Sequence, residues 1–136
     1  MKNEFIPFQQ ALELKELGFD EPCFGKIYAD GGSEQLSYPY KNSDQIGKVT
    51  SCSAPLYQQV FRWFREKYNL RGFIGFRPNV KKFDCHVYDM SLSGKEYVKQ
   101  RTHEEFQKDP KVGTYEEAEL ECIKELISIV KNNETN

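Results

Sequence analysis

Between Ser53 and Leu70 the chain reads SAPLYQQVFRWFREKYNL. A rotation of about 100° per residue sorts this block into two sides. Leu56, Tyr57, Val60, Phe61, Trp63, Phe64 and Tyr68 fall in one arc, and Gln58, Arg62, Arg65, Glu66 and Asn69 fill the other. An amphipathic core helix is expected, with Ser53 as its N-cap and Pro55 in its first turn. A second helix is predicted from Pro7 to about Leu17, stopped by Gly18. Phe19 follows that glycine and stands one turn beyond Leu14, the sequence form of a Schellman ending. The last helix is expected from Thr114 to about Lys131, opened by the capping-box pattern Thr114-Tyr115-Glu116-Glu117. Its apolar arc is wide, taking in Tyr115, Ala118, Leu120, Cys122, Ile123, Leu126, Ile127, Ile129 and Val130. Glu119 points into that arc and reads as a partly exposed acid near the helix start, with a buried, paired carboxylate as the alternative.

The remaining segments read as strands and turns. Cys23 to Tyr40 reads as two strands around the turn Asp30-Gly31-Gly32, with Pro39 marking the second as an edge. Lys41 to Ser51 is small and polar, a loop. RGFIGFRPNV and KKFDCHVYDM, joined at Pro78-Asn79, predict a second hairpin, and a further strand is expected around Glu96 to Arg101, reached through Ser93-Gly94. The order α-β-β-α-β-β-(β)-α describes an α+β fold: an antiparallel sheet of about four to five strands and three helices, the helices covering one face. The pattern does not set the strand order. One domain over residues 1–136 is expected, with about 1–4 and 132–136 flexible.

Three blocks, ALELKELGFDEPCF (11–24), SAPLYQQVFRWFREKYNL (53–70) and TYEEAELECIKELISIV (114–130), together resemble a group of short proteins of unknown function found in tailed phages, prophages and gut bacteria. The blocks cover about a third of the chain. The resemblance implies a genetic setting; it brings no catalytic or ligand residues, and residues 29–51 and 83–113 carry none of it.

Composition narrows the classes. With 136 residues, 38% hydrophobic and 29% charged, the chain has enough apolar material for a core without disulfides or metals. No apolar run reaches the roughly 18 residues that span a bilayer, and MKNEFIPF lacks a signal-peptide stretch, so a cytoplasmic protein is expected, in the host cytosol if phage-encoded. Cys23, Cys52, Cys85 and Cys122 contain no CxxC pair and read as separate, reduced, mostly buried thiols. No metal site and no cofactor is expected. The net charge of −2 conceals a basic middle, since residues 62–82 carry seven Lys or Arg against one Glu while residues 104–136 carry four Lys against nine acids. Such asymmetry marks either a nucleic-acid surface or two parts of one domain that attract each other.

Enzyme motifs are missing: there is no phosphate loop, no G-x-G-x-x-G, no G-x-S-x-G and no H-E-x-x-H. A binding module is therefore expected before an enzyme, its partner a protein or a small anionic ligand. The candidate ligand site is Ser51-Cys52-Ser53, where free N–H groups at a helix N-terminus would meet a phosphate or carboxylate completed by Arg71 or Arg77. A nucleic-acid patch of Arg71, Arg77, Lys81 and Lys82 on the second hairpin is the alternative. A third reading is a cysteine enzyme, with Cys52 activated by the helix N-terminus and His86 as base oriented by Asp84 or Asp89. The stripe Leu120, Ile123 and Ile127 is expected either to pack on a neighbouring helix or to make a homodimer seam through the 114–131 helix.

Overall fold

Gly18 ends the first helix in the manner its sequence requires. The computed structural model, which describes residues 5–44, 51–78, 81–90, 97–100 and 114–135, places α1 at Phe8–Glu16 with Pro7 at the N-cap. Gly18 takes φ 98°. Its N–H donates to Lys15 O at 3.0 Å, and the Phe19 N–H donates to Leu14 O at 2.9 Å. That is the hydrogen-bond pair of a Schellman ending, and Leu14 and Phe19 are both buried.

The chain divides into two compact units, Met1–Gln59 and Val60–Asn136, and the division falls inside α2, Tyr57–Tyr68. The first unit holds β1 (Cys23–Tyr28), β2 (Ser33–Tyr40) and β3 (Ser51–Ser53) in an antiparallel sheet of order β2-β1-β3. At the β1–β2 turn Gly31 takes φ 92° and the Asp30 carboxylate accepts the Gly32 N–H at 2.8 Å, an Asx turn. Pro39 lies on β2, an edge strand that can lack a donor. α1 packs against β1 and β3, and Ile6, Ala11, Leu14, Cys23, Ile27 and Cys52 are among the buried apolar residues. Gly25 is required at its position, because a Cβ there would lie 2.5 Å from the Phe5 ring and 2.7 Å from the Ala54 carbonyl oxygen.

The second unit holds β4 (Leu70–Arg77), β5 (Lys82–Asp89), β6 (Tyr97–Gln100) and α3 (Tyr115–Thr135), with sheet order β4-β5-β6, again antiparallel. Asn69 joins α2 to β4 at φ 55°, an αL residue whose N–H donates to Arg65 O at 3.2 Å. α3 packs on β4 and β5. Gly72 faces it so closely that a Cβ would lie 2.9 Å from Cys122 Sγ and 3.0 Å from Leu126 Cδ1. Thr114 Oγ1 accepts the Glu117 N–H at 3.2 Å, which forms the N-capping bond of the expected box.

The α+β class and the order of elements are as expected, but the strands form two sheets of three instead of one. Ser51–Ser53 supplies the additional strand, and the polar loop before it contains a 3-10 turn at Asn42–Asp44. Ser53 therefore caps no helix. Pro55 lies ahead of α2, and Leu56, whose backbone bridges to Phe5, is 44% exposed instead of belonging to the buried arc. From Tyr57 onward the arc is right: Tyr57, Val60, Phe61, Trp63 and Phe64 are buried and Arg62, Arg65 and Glu66 exposed. Glu119 is buried, not partly exposed. α3 continues past Lys131 to Thr135, so residues 132–135, expected to be flexible, are helical. Ile123 and Ile127 of the side stripe are buried within the single chain, leaving Leu120 half-exposed. The N-terminal residues 1–4, the Ser93-Gly94 link, Asn79, Arg101 and His103 lie outside the described residues.

Candidate anion-binding site

Ser51, Cys52 and Ser53 are buried and paired along β1 with Tyr28, Ile27 and Lys26. The Ser53 N–H donates to Asn42 Oδ1 at 2.9 Å, and Asn42 Nδ2 donates to Phe19 O at 2.8 Å. The expectation of free N–H groups at a helix N-terminus is thus corrected: the chain is still extended at these residues, and α2 begins only at Tyr57. Burial pushes the Cys52 thiol up, with a smaller lowering from Lys15, the reverse of what a helix N-terminus would do. Burial likewise raises the Cys23 thiol, to about 11. Arg71 and Arg77 belong to the second unit. Asn42, which ties the serine strand to the end of α1, gives no signal in the sequence beyond being a polar loop residue.

The second hairpin alternates as a half-buried sheet should. One face carries Leu70, Gly72, Ile74 and Phe76 of β4 opposite Asp89, Val87, Cys85 and Phe83 of β5, and α3 lies on this side. Here Phe83 meets Tyr115 edge-on at 5.5 Å between ring centroids. The Cys122 thiol donates to His86 O at 3.8 Å. It is pushed far up by its hydrogen bond to Cys85 and by burial; all four cysteines are reduced and buried, and these two are neighbours.

The other face carries Arg71, Phe73, Gly75 and Arg77 opposite Tyr88, His86, Asp84 and Lys82. Phe73 stacks on His86 at 4.8 Å with rings 10° apart, and on Tyr88 at 5.6 Å with rings 3° apart. Asp84 is buried, and its two oxygens are both used: Arg77 Nε donates to Oδ2 at 2.7 Å and His86 Nε2 lies 3.0 Å from Oδ1. Gly75 makes room for this, since a Cβ there would stand 2.6 Å from Asp84 Oδ1. Asp84 and not Asp89 is therefore the carboxylate that orients His86, while Cys52, the proposed nucleophile, belongs to the other unit.

The sequence-predicted basic patch is divided. Arg71, Arg77 and Lys82 share one face, Lys81 sits in the turn at φ 56°, and Arg77 is neutralised by Asp84. Arg71 and Arg77 are six residues apart on one strand, roughly 20 Å at 3.3 Å per residue, too far for one small anion to touch both.

Arg71 instead shares a concavity with a residue from α2. Arg65, Asn69, Arg71 and Met90 line a depression of about 350 Å³ beside the start of β4. Arg65 stands in the last turn of α2, Asn69 is the αL residue that ends the helix, and Met90, 48% exposed, follows β5 and donates its N–H to Asn69 O at 2.8 Å. Neither guanidinium has a carboxylate partner among the described residues. Arg71 lies over the Phe73 ring at 5.8 Å, a contact that leaves its N–H donors unused. Each guanidinium is a fixed fork of five donors that stays charged at every physiological pH. Their positive charge also offsets the negative C-terminal end of α2, which would otherwise repel an anion. A smaller depression of about 150 Å³ is lined by Tyr68, Leu70, Asp89, Val130 and Asn133 and has no cation in its wall.

Arg65, Asn69 and Met90 were not among the sequence candidates. Arg65 reads as one more solvent-facing charge on an amphipathic helix, and only the αL turn at Asn69 brings it beside Arg71. Among the described residues no three His, Cys, Asp or Glu side chains are grouped to hold a metal ion, and no helix is long and apolar enough to cross a membrane. No protein-family model, curated protein or solved structure matches the chain.

Proposed function

We propose that this chain is a small binding module of phage type, working in the host cytosol without chemistry of its own, and that it binds a small anionic ligand at the Arg65–Arg71 concavity. The observation that carries this reading is that Arg65 and Arg71 line one depression and that neither has an acidic partner among the described residues. Two like charges held together are unfavourable unless something answers them, and a bound anion would do so with charge-assisted, bidentate hydrogen bonds.

A thermal-shift panel of citrate, sulfate, phosphate and nucleotides tests it. Any anion that binds the folded state alone raises the melting temperature by linkage. At least one should do so for the wild type and for none of them should an Arg65→Gln, Arg71→Gln double variant respond. No response in the wild type, or an equal response in the variant, would reject the reading.

A second reading, a single strand of nucleic acid, is favoured by the common face of Arg71, Arg77 and Lys82. It is the weaker of the two, because Asp84 already neutralises Arg77 and Phe73, though 36% exposed, is already stacked on His86 and Tyr88. Oligonucleotide affinity falling steeply with added salt would restore it.

A further inference from the structure

We infer that the group held between Arg65 and Arg71 is a dianionic phosphoryl group, an inference that rests on the binding site proposed above and adds the chemical class of its ligand. Among the described residues, the wall of the concavity offers two positive charges and no negative one: Arg65, Arg71, Asn69 and Met90 line it. Charge balance then calls for two negative charges on a single compact group. A carboxylate brings one and a phosphodiester brings one. A terminal phosphomonoester or inorganic phosphate brings between about 1.5 and 2 at pH 7.

The donors fit as well as the charge. Two planar forks can each take a pair of oxygens, which a tetrahedral group with three or four oxygens supplies and a planar carboxylate does not. Asn69 also lines the concavity, and a side-chain amide can donate to a remaining oxygen. Its position is fixed, since the residue is locked at φ 55° between the Arg65 carbonyl and the Met90 N–H. The arginines come from two different elements, the last turn of α2 and the beginning of β4, so the spacing between them depends on that turn. Met90 is the one apolar residue among the described residues of the wall, and it would lie against whatever carries the phosphoryl group.

The same chemistry has two sources, a free phosphate ion or the end of a phosphomonoester such as a nucleoside monophosphate. Isothermal titration at pH 7.5 with the full chain separates them, using inorganic phosphate, adenosine 5′-monophosphate, adenosine 3′,5′-cyclic monophosphate and adenosine. The 5′-monophosphate should bind at least about tenfold more tightly than the singly charged cyclic diester, and adenosine should give no heat. Inorganic phosphate binding as tightly as the monophosphate would identify the free ion as the ligand, and weaker binding would identify the monoester. Arg65→Gln and Arg71→Gln should each cost about tenfold, while Arg62→Gln, exposed on the same helix, should change nothing. Unchanged melting temperatures of the ligand-free variants would show that they are folded. Cyclic and open monophosphates binding equally, with both arginines still needed, would overturn the phosphoryl assignment and leave the anion site standing. Binding that ignores both arginines, or no binding by any of the four, would overturn the assignment and the site together.

Discussion

The two faces of the β4–β5 hairpin are built from alternate residues of the same sixteen-residue pair of strands, yet they do different work. On one, Gly72, Cys85 and Val87 are buried beneath α3, with Cys122 Sγ and Leu126 Cδ1 close over Gly72. On the other, Arg71, Phe73, Arg77, Asp84, His86 and Tyr88 form a layer of rings and charges in which only Asp84 is fully buried. The difference teaches where to look for function in a small fold. A face closed by a helix has its chemistry consumed by packing, whereas the opposite one retains donors, and at its end Arg71 retains a guanidinium with no acidic partner among the described residues.

Substitutions on the two faces should separate accordingly. The largest effect is expected for Leu126→Ala, which empties a fully buried site facing Gly72 and should destabilise by about 2–5 kcal/mol in a denaturant melt. A loss under about 1 kcal/mol would mean that this face is not the core. The second effect is alkaline. Cys122 is held protonated well above its ordinary 9.0, so above roughly pH 9 the unfolded chain releases a proton that the folded one keeps. Stability is then fully present below that pH and falls as pH rises, by about 1.4 kcal/mol per unit from this group. Cys122→Ala should flatten the pH dependence measured between 9 and 10.5, and an unchanged slope would speak against the buried thiol pair.

On the layer of rings and charges the costs are smaller. Asp84→Ala leaves Arg77 Nε and His86 Nε2 without their acceptor and should cost roughly 1–3 kcal/mol, toward the low end because the Arg77 side chain is 38% exposed and can turn to water. Arg71→Ala should change stability by no more than about 0.5 kcal/mol. A larger loss would make Arg71 structural and sharpen the case against a ligand role.

Much of this was legible from the sequence, for reasons that can be named. Gly18 before Phe19 and the buried side of α2 from Tyr57 to Phe64 depend on neighbours within one or two turns, and both emerged as read. The second hairpin follows from two runs rich in Phe, Ile, Val and Tyr on either side of a Pro-Asn turn, and β6 from the short segment that follows them. The serine strand did not emerge, because three small residues ahead of a proline look the same whether they cap a helix or pair with β1. What decides between those is Asn42, eleven residues before Ser53, and no local rule reports that bond. The division into two sheets was hidden for the same reason, since β3 is the strand that makes the first sheet three-stranded. The candidate site was half legible. Arg71 was in the basic patch, but its companion Arg65 had been assigned to solvent by a helical phase that was itself correct. Exposure on a helix does not tell which strand end stands beside it.

An anion should go to the Arg65–Arg71 concavity and not to the serine strand or along the hairpin. Two-dimensional amide NMR of the labelled protein during a phosphate titration tests this most directly. Saturable shifts should concentrate at Arg65, Asn69, Arg71 and Met90, with Ser51, Cys52 and Ser53 unmoved. Shifts centred on Ser51–Ser53, or a weak drift spread over all the basic residues without saturation, would contradict it.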